Sequence, residues 1–458
     1  MKVKRKWFVF SIALAVVSLA GALLPRGEAG GTDSALSAGD IAWIISATGL
    51  VLLMTPGVSF FYGGMVRTKN VISTMLQSFV AMGVISIVWV VVGFSLAFGK
   101  DLGGVIGNPF TYLMFRNVGG QPDPAFAATI PLALFALFQL KFAIITPALI
   151  TGSFAERVKF SAYLLFMVLW SVIIYAPLAH WTWHPDGFLR RLGVLDFAGG
   201  TVVHMAAGVA ALAGALFLGQ RAEHKVAYRP ANIPFVMLGT ALLWFGWFGF
   251  NAGSALAANS VAVEAFLNTN TASAAAMLAW MFFDTLGGRK ASAMGACIGA
   301  VVGLVAITPA AGYVSVGASL FIGTTAAVVS NIAVHWKNKT SVDDALDVFP
   351  THGVGGIMGM ILTGIFAREA GLIFGNPRTF LYHLLAIVIV GLYVFVGSYL
   401  LFKLTNLFIP VRVSKQSETL GLDLSQHDEI YALNVQEKEL EEYAHNGSTE
   451  NTLPSIAK

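Results

Sequence analysis

Long apolar runs alternate with short polar connectors along almost the whole chain. A membrane-spanning helix needs about 20 mostly apolar residues, and about eleven runs after the N-terminal segment approach or exceed that length. They lie at residues 40–64, 72–99, 127–151, 160–183, 197–219, 232–256, 262–285, 292–309, 313–336, 349–368 and 381–406. Because no soluble domain interrupts them, the pattern predicts an all-α integral membrane protein with about eleven transmembrane helices.

Both ends of the chain depart from this pattern. Residues 1–29 have a basic start, an apolar stretch and a small-residue end near Ala29, which is typical of a signal peptide and predicts cleavage there. The apolar stretch is long for a signal peptide, so an uncleaved anchor is the alternative. Residues 30–409 form the predicted transmembrane domain. Residues 410–458 form a polar tail, in which HNGSTENTLPS predicts partial disorder.

The connectors between the runs carry unequal numbers of Lys and Arg. One set of alternate connectors holds eleven, namely Arg67, Lys69, Arg157, Lys159, Arg221, Lys225, Arg229, Arg289, Lys290, Lys337 and Lys339. The other set holds six, namely Lys100, Arg116, Arg190, Arg191, Arg368 and Arg378. The excess predicts that the first set is cytoplasmic, with the mature N-terminus outside and the tail inside. Arg190 and Arg191 count against this orientation without reversing it.

The fifth and tenth runs resemble each other. The fifth begins at Asp196 and carries His204 within DFAGGTVVH, and the tenth begins beside Asp347 and carries His352 within DVFPTHGVGG. They are five runs apart, and an odd number of spans gives the two halves opposite orientations in the membrane. The pattern therefore predicts a 5+5 inverted repeat plus a final helix, with function near the midplane between the halves.

Composition excludes several other classes of protein. The chain is 56% hydrophobic and 11% charged, and its mean hydropathy is +0.74. Soluble proteins carry about a quarter charged residues, so lipid solvates most of this chain. The net charge of +4 does not indicate a nucleic-acid partner, because the cations are scattered at the ends of apolar runs. The single cysteine, Cys297, excludes an internal disulfide.

Ionisable residues inside apolar runs are costly and are therefore candidates for function. Taken alone, either His204 or His352 is equally well explained as a packed histidine bonded to a backbone carbonyl. Two histidines at equivalent places in two halves favour a functional pair, whose imidazoles share a proton and leave other ring edges to a small polar solute. No third ligand accompanies them at a usable spacing, so the pattern does not indicate a metal site.

Carboxylates open both histidine runs. Asp196 and Asp347 are each expected to cap a helix by accepting backbone N–H bonds. A fixed negative charge at Asp196 would also favour a cation near an entrance. The Gly199–Gly200 pair that follows Asp196 allows close approach of a neighbouring helix.

Aromatic residues supply a further set of candidates. Trp181 and Trp183 lie at the end of a run, where an interfacial belt and a cation–π platform are both consistent with the pattern. Phe138 and Phe142 are four residues apart, as are Phe250 and Ser254, so each pair shares one helix face. Either pair is consistent with ordinary core packing. Together with the histidines they favour a narrow, dry path lined by aromatic rings.

Several segments in order carry a resemblance to a known family. They are TPGVSFFYGGMVRTKNV, FAERVKFSAYLLF, DFAGGTVVH, GWFGFNAGSA and DVFPTHGVGGIMG. Together they resemble the ammonium transporter (Amt/MEP/Rh) family on its bacterial Amt side, from about residue 38 to about residue 432. The resemblance implies eleven spans, a homotrimer in the inner cell membrane with one pore per subunit, and ammonium or ammonia as substrate with methylammonium as an analogue.

The resemblance also assigns roles to residues. His204 and His352 correspond to the twin histidines of the pore, and Phe142 and Phe250 to its stacked gate, with Phe138 just above Phe142. Trp183, Ser254 and Phe142 correspond to the outer recruitment site, with Asp196 beneath it. Trp183 is chosen over Trp181 from its place after His180. The tail segment RVSKQSETLGLDLSQHDEIY resembles an ordered element that couples subunits and binds PII-type signalling proteins.

Two residues depart from the family pattern. Lys141 lies beside Phe142 in mid-span, where a charge is expensive, and helix geometry predicts that it faces away from the gate. Asp428 stands where the family usually has Gly.

An ammonium sensor that signals through the tail is the alternative function. The sequence has no metal cluster, nucleophile–base pair or cofactor motif, so we expect neither an enzyme nor a cofactor.

Overall fold

The computed structural model describes residues 2–23, 36–224 and 229–431. The predicted cleavage site near Ala29 and the tail segment HNGSTENTLPS lie outside the described residues, as does Lys225. The α-helices are α1 (Lys2–Leu23), α2 (Ala38–Met65), α3 (Val71–Val88), α4 (Phe94–Phe98), α5 (Leu132–Ile150), α6 (Phe160–Trp170), α7 (Ala176–Trp183), α8 (Phe188–Leu192), α9 (Ala206–Leu218), α10 (Ile233–Gly253), α11 (Ser260–Leu286), α12 (Ala293–Ile307), α13 (Val316–Lys337), α14 (Gly355–Phe366), α15 (Pro377–Phe408) and α16 (Lys415–Leu420).

Shorter elements complete the described chain. Two strands, β1 (Asp101–Leu102) and β2 (Ile106–Gly107), pair antiparallel with Asp101 opposite Gly107. The 3₁₀ segments are Thr68–Asn70, Leu113–Phe115, Thr151–Phe154 and Leu372–Phe374. The π-helical segments are Trp89–Gly93, Ser171–Tyr175, Gly200–Met205, Phe349–Val354 and Asp423–His427.

The helices follow the eleven apolar runs. In the described ranges, nine continuous helical spans are long and apolar enough to cross a membrane. The seventh run forms the 27-residue helix α11, which carries polar residues such as Glu264 and Asn268, and the eighth forms the 15-residue helix α12. The all-α membrane class is therefore confirmed, whereas the count of eleven spans stays a prediction.

Local polar residues set several of the helix starts. The side chains of Ser37, Asn232, Asn259, Ser292 and Ser315 each accept a hydrogen bond from the backbone N–H three residues later. Such a bond satisfies one of the N–H groups that a helix N-terminus leaves without an intrahelical partner. The polar connectors thus decide where the apolar helices begin.

The two predicted repeats meet through glycine. A Cβ added at Gly208 of α9 would lie 2.1 Å from the backbone nitrogen of Gly353. Likewise, a Cβ at Gly356 of α14 would lie 2.9 Å from the nitrogen of Met205. The backbones of the two histidine-bearing helices are therefore in direct contact, which only residues without side chains permit. Gly200 is equally tight, because a Cβ there would lie 2.6 Å from Pro309.

Connectors of the predicted cytoplasmic set gather with the tail at one face, which we call the tail face. Ion pairs join connectors there, between Arg67 and Glu156 at 2.6 Å and between Arg221 and Asp343 at 2.9 Å. In the tail, Arg412 pairs with Glu418 and donates to the Leu218 carbonyl, and Glu418 accepts from the Ala222 nitrogen. Burial alone would raise the pKa of Asp343, yet hydrogen bonds and charge from Arg221 and Arg157 hold it well below its usual range. The tail is thus fixed to the body by buried and half-buried charges.

Helix α1 lies along the outside of this body. Its Trp7 ring is 6.3 Å from the ring of Phe160, which begins α6 at the tail face. Gly21 near its other end meets Met114, which belongs to a connector at the opposite face. The N-terminal end of α1 therefore lies at the tail face, and the signal-peptide interpretation of this segment stays a prediction.

Candidate functional site

His204 and His352 face each other in the interior. Each lies in a π-helical segment, Gly200–Met205 or Phe349–Val354, at the start of its helix. Their Nδ1 atoms are 3.4 Å apart and their rings are 5.5 Å apart, with 1% and 3% of the residues exposed. Because π-helical segments widen the turn, they often occur at functional positions. The predicted pairing of the two halves brings these histidines together.

The pair has one edge without a protein partner. Nε2 of His204 is buried and makes no hydrogen bond to any described residue. The His204 ring stacks on Trp247 at 5.1 Å and lies 5.8 Å from Phe250. A buried polar atom without a partner costs free energy. A small solute that hydrogen-bonds to this ring edge would remove that cost.

Two phenylalanines cover the histidines. The rings of Phe142 and Phe250 are 4.3 Å apart, and both side chains are buried. Phe138 packs on Phe142 at 5.0 Å, one turn away on α5. Ser254 is half-buried one turn beyond Phe250, and its hydroxyl donates to the Phe250 carbonyl at 2.9 Å. The two predicted shared faces therefore meet at one constriction.

Trp183, and not Trp181, reaches this constriction. The Trp183 ring is 5.7 Å from Phe142 in an edge-to-face arrangement, and its Nε1 donates to the Asp196 carbonyl at 3.2 Å. Trp181 instead packs on Phe188 and Tyr393 and donates to the Val105 carbonyl. Of these two tryptophans, Trp183 alone presents its ring to the constriction.

Asp196 caps the start of the His204 helix. Its carboxylate accepts from the backbone nitrogens of Gly199, Gly200 and Thr201 at 2.8, 2.6 and 2.8 Å, and 6% of the residue is exposed. Gly199 adopts a φ of +116°, which favours glycine. The oxygens of the Asp196 carboxylate are thus occupied by backbone N–H groups. The residue affects the constriction through its negative charge and by holding the helix start in place.

The cap of the second half is Asp344, so the expectation for Asp347 is wrong. Oδ2 of Asp344 accepts from the Phe349 nitrogen at 2.7 Å. Asp347 has a left-handed φ of +57° and pairs with Lys337 at 2.7 Å. Burial raises the pKa of Asp344, and the charge of Lys337 acts in the opposite direction. The sequence held a signal for Asp344, because it precedes His352 by eight residues as Asp196 precedes His204.

Comparison with known proteins identifies the family. A family model described as Ammonium Transporter Family matches residues 42–431. The chain belongs to the ammonium transporter family. An ammonium transporter of Aquifex aeolicus is 46% identical over 406 residues, which are 87% of this chain and 94% of that protein.

Solved structures agree with this membership in the ammonium transporter family. The crystal structure of Saccharomyces cerevisiae Mep2 superposes with a TM-score of 0.80 at 35% identity, covering 85% of this chain and 92% of that one. A structure named Sensor Amt Protein superposes with a TM-score of 0.79 at 31% identity, covering 85% and 98%. The relatives are named transporters and not enzymes.

The two departures from the ammonium transporter pattern have different structural outcomes. Lys141 is 8% exposed, and no ion pair involves it within residues 36–224 and 229–431. It shares a helix face with Leu137, four residues earlier and 42% exposed, whereas Phe138 and Phe142 form the neighbouring face.

Asp428 ends the π-helical segment Asp423–His427 with a left-handed φ of +58°. Glycine favours that conformation and Asp tolerates it, so the backbone shape is kept.

Proposed function

We propose that this chain is an ammonium transporter of the inner cell membrane that conducts ammonia through each subunit of a homotrimer. One observation carries the proposal. Four ring contacts connect Trp183, Phe142, Phe250, His204 and His352 in that order, with centroid separations of 5.7, 4.3, 5.8 and 5.5 Å. This series of rings leads from one face to the junction of the two halves.

Recruitment begins at the Trp183 end. A cation over an aromatic face is attracted by the ring quadrupole, most strongly by Trp, and the Ser254 oxygen can replace part of the hydration shell. Asp196 adds a fixed negative charge nearby, although its oxygens are already occupied by backbone N–H groups. Ammonium therefore gains partial compensation for the water that it loses at this mouth.

The buried interior then selects the neutral form. A bare cation among apolar rings carries a desolvation cost of many kcal/mol, and transfer of one ammonium proton to water at the mouth leaves neutral ammonia and removes that cost. The histidine pair holds one proton between its two Nδ1 atoms, and the free Nε2 edge of His204 accepts from ammonia. Potassium has no proton to release, so the same pathway excludes it.

Currents and fluxes in proteoliposomes test this function. We expect the wild-type protein to carry methylammonium or ammonium and to reject potassium, and His204→Ala or His352→Ala to lose transport or selectivity. His335→Ala is the matched control, because His335 is exposed near the tail face and bonds Asn331 there. Normal transport and potassium rejection in both pore variants would refute the twin-histidine mechanism.

A sensor function is the second candidate. The similarity to the structure named Sensor Amt Protein favours it, as do the hydrogen bonds that Arg412 and Glu418 of the tail make to the connector after α9. A sensor binds ammonium at the Trp183 mouth without conducting it, and a PII-type protein would be a partner at the tail face. Saturable binding with no flux above empty liposomes would support the sensor and exclude the transporter.

A further inference from the structure

A cationic side chain stands at the Trp183 mouth. Nη1 of Arg190 donates to the Trp183 carbonyl at 3.2 Å, and the residue is exposed. Arg190 belongs to the predicted outer connectors, where cations are disfavoured by the orientation rule. Its bond caps the last carbonyl of α7, whereas the packing of the short helix α8 is made by Leu189 and Phe188. The structural role of Arg190 is therefore confined to this one bond, and its charge remains at the mouth.

The backbone fixes Arg190 in this position. Gly187 begins α8 where a Cβ would lie 2.1 Å from the His180 carbonyl oxygen, and Gly193 ends it with a φ of +90°. The Phe188 nitrogen donates to the Gly104 carbonyl, and the Val194 nitrogen donates to the Leu189 carbonyl. Helix α8 is therefore held at both ends, and the arginine stem projects from a fixed base.

Neighbouring charges do not neutralise Arg190. Two carboxylates of the outer connectors have histidine partners, Asp101 with His180 at 2.8 Å and Asp186 with His184 at 4.0 Å. In the described part of the connectors no ion pair involves Arg190. Tyr313 lies close enough to Asp196 and Arg190 for both charges to act on its hydroxyl group. Burial and the charge of Asp196 raise its pKa, and the charge of Arg190 opposes them.

We propose that Arg190 sets the apparent ammonium affinity by placing a positive charge at the Trp183 mouth. The inference rests on the proposed transport function and adds a residue that tunes it. Like charges within about 10 Å of each other at a wet surface repel by an energy that corresponds to roughly a two- to threefold change in binding. Mobile ions screen this repulsion with a Debye length of about 10 Å at 0.1 M and about 30 Å at 0.01 M. The effect is thus expected to be larger at low ionic strength.

A charge series at position 190 tests the proposal. In proteoliposomes at low ionic strength we expect the KM for methylammonium to stay near the wild-type value in Arg190→Lys. It should fall about threefold in Arg190→Gln and further in Arg190→Glu, with kcat little changed. The differences should shrink at high ionic strength. Arg191→Gln is the matched control, because Arg191 carries the same charge on the next residue, is exposed and makes only backbone hydrogen bonds to the described residues.

Each other outcome overturns the proposal. An equal fall of KM in Arg191→Gln would assign the effect to general surface charge. A loss of kcat in Arg190→Gln and Arg190→Lys alike, independent of salt, would show that the bond to the Trp183 carbonyl only positions the tryptophan. Absence of methylammonium flux in the wild-type protein would refute the transport function itself, whereas wild-type flux with a flat charge series refutes the role of Arg190 alone.

Discussion

Asp344 precedes His352 by the same eight residues that separate Asp196 from His204. Each carboxylate accepts backbone N–H groups at the start of the helix that carries its histidine, with the bond from Phe349 to Asp344 at 2.7 Å and that from Gly200 to Asp196 at 2.6 Å. The pairing of histidines is therefore one part of a larger correspondence between the two halves. In each half, a buried carboxylate eight residues before the histidine holds the helix start and so positions that histidine.

Loss of the Asp344 cap is expected to destabilise the second half. Asp344→Ala leaves the Phe349 N–H without its acceptor, which costs about 1–2 kcal/mol, and the shift of His352 should reduce transport. Asp347→Asn is the matched control, since the Asp347 carboxylate pairs with Lys337 and accepts no helix-start N–H from the described residues, and Asn tolerates the left-handed conformation at this position. Thermal unfolding and methylammonium flux measure both effects. Equal losses in the two variants would argue against a capping role for Asp344.

Trp183 and Trp181 provide a matched pair for the outer mouth. Trp183→Leu removes the ring that contacts Phe142, and a cation–π contribution of about 1–2 kcal/mol corresponds to a KM increase of about tenfold. Trp181→Leu removes a ring that packs on Phe188 and Tyr393, so it should lower thermal stability more than affinity. Methylammonium uptake kinetics distinguish them. A larger KM change in Trp181→Leu would place recruitment at the other tryptophan.

Asp423 makes tail docking dependent on pH. Burial raises its pKa to about 6, although it accepts from the nitrogens of Ser73 and Ile72 at the start of α3. A carboxyl with a raised folded-state pKa contributes stability that is complete below its unfolded value near 4 and is lost as the pH rises through about 6. Proteolytic cleavage of the tail should therefore accelerate between pH 4 and pH 6. Asp423→Asn should flatten this dependence, and an unchanged profile would exclude Asp423 as its source.

The apolar runs predicted the spans well, because a lipid environment imposes helix length directly on the sequence. The site was reached by different routes. Pairing of His204 with His352 follows from the internal symmetry, whereas the choice of Trp183 over Trp181 rests on the resemblance to the family. Helix α12 has 15 residues, fewer than the about 20 that a span usually needs, so the count of eleven spans stays a prediction.

Other features have no signature that a single sequence carries. The π-helical segments at Gly200–Met205 and Phe349–Val354 lie where the two halves contact each other, and no pattern in the sequence predicted them. Asp347 was expected to be the cap because it adjoins the apolar run. The chain instead turns at Asp347 in a left-handed conformation, so the carboxylate that reaches the helix start belongs to Asp344. Asp tolerates the left-handed conformation, but that tolerance is common to Asp344 and Asp347 and does not distinguish the one that turns.

The contact between the halves gives the last prediction. A methyl group at Gly208 would lie 2.1 Å from the Gly353 nitrogen and 2.3 Å from its Cα. Because both are backbone atoms that cannot rotate away, Gly208→Ala should push the two histidine helices apart and cost about 1–3 kcal/mol. The same displacement widens the 3.4 Å separation of His204 and His352, so transport should fall with stability.

Gly83→Ala is the matched control, because a Cβ at Gly83 in α3 meets nothing within 4 Å. That change should be neutral or stabilise the helix by up to about 1 kcal/mol. Thermal unfolding and flux of both variants decide the matter: if Gly208→Ala matches Gly83→Ala in both, backbone contact at Gly208 does not hold the histidine pair together.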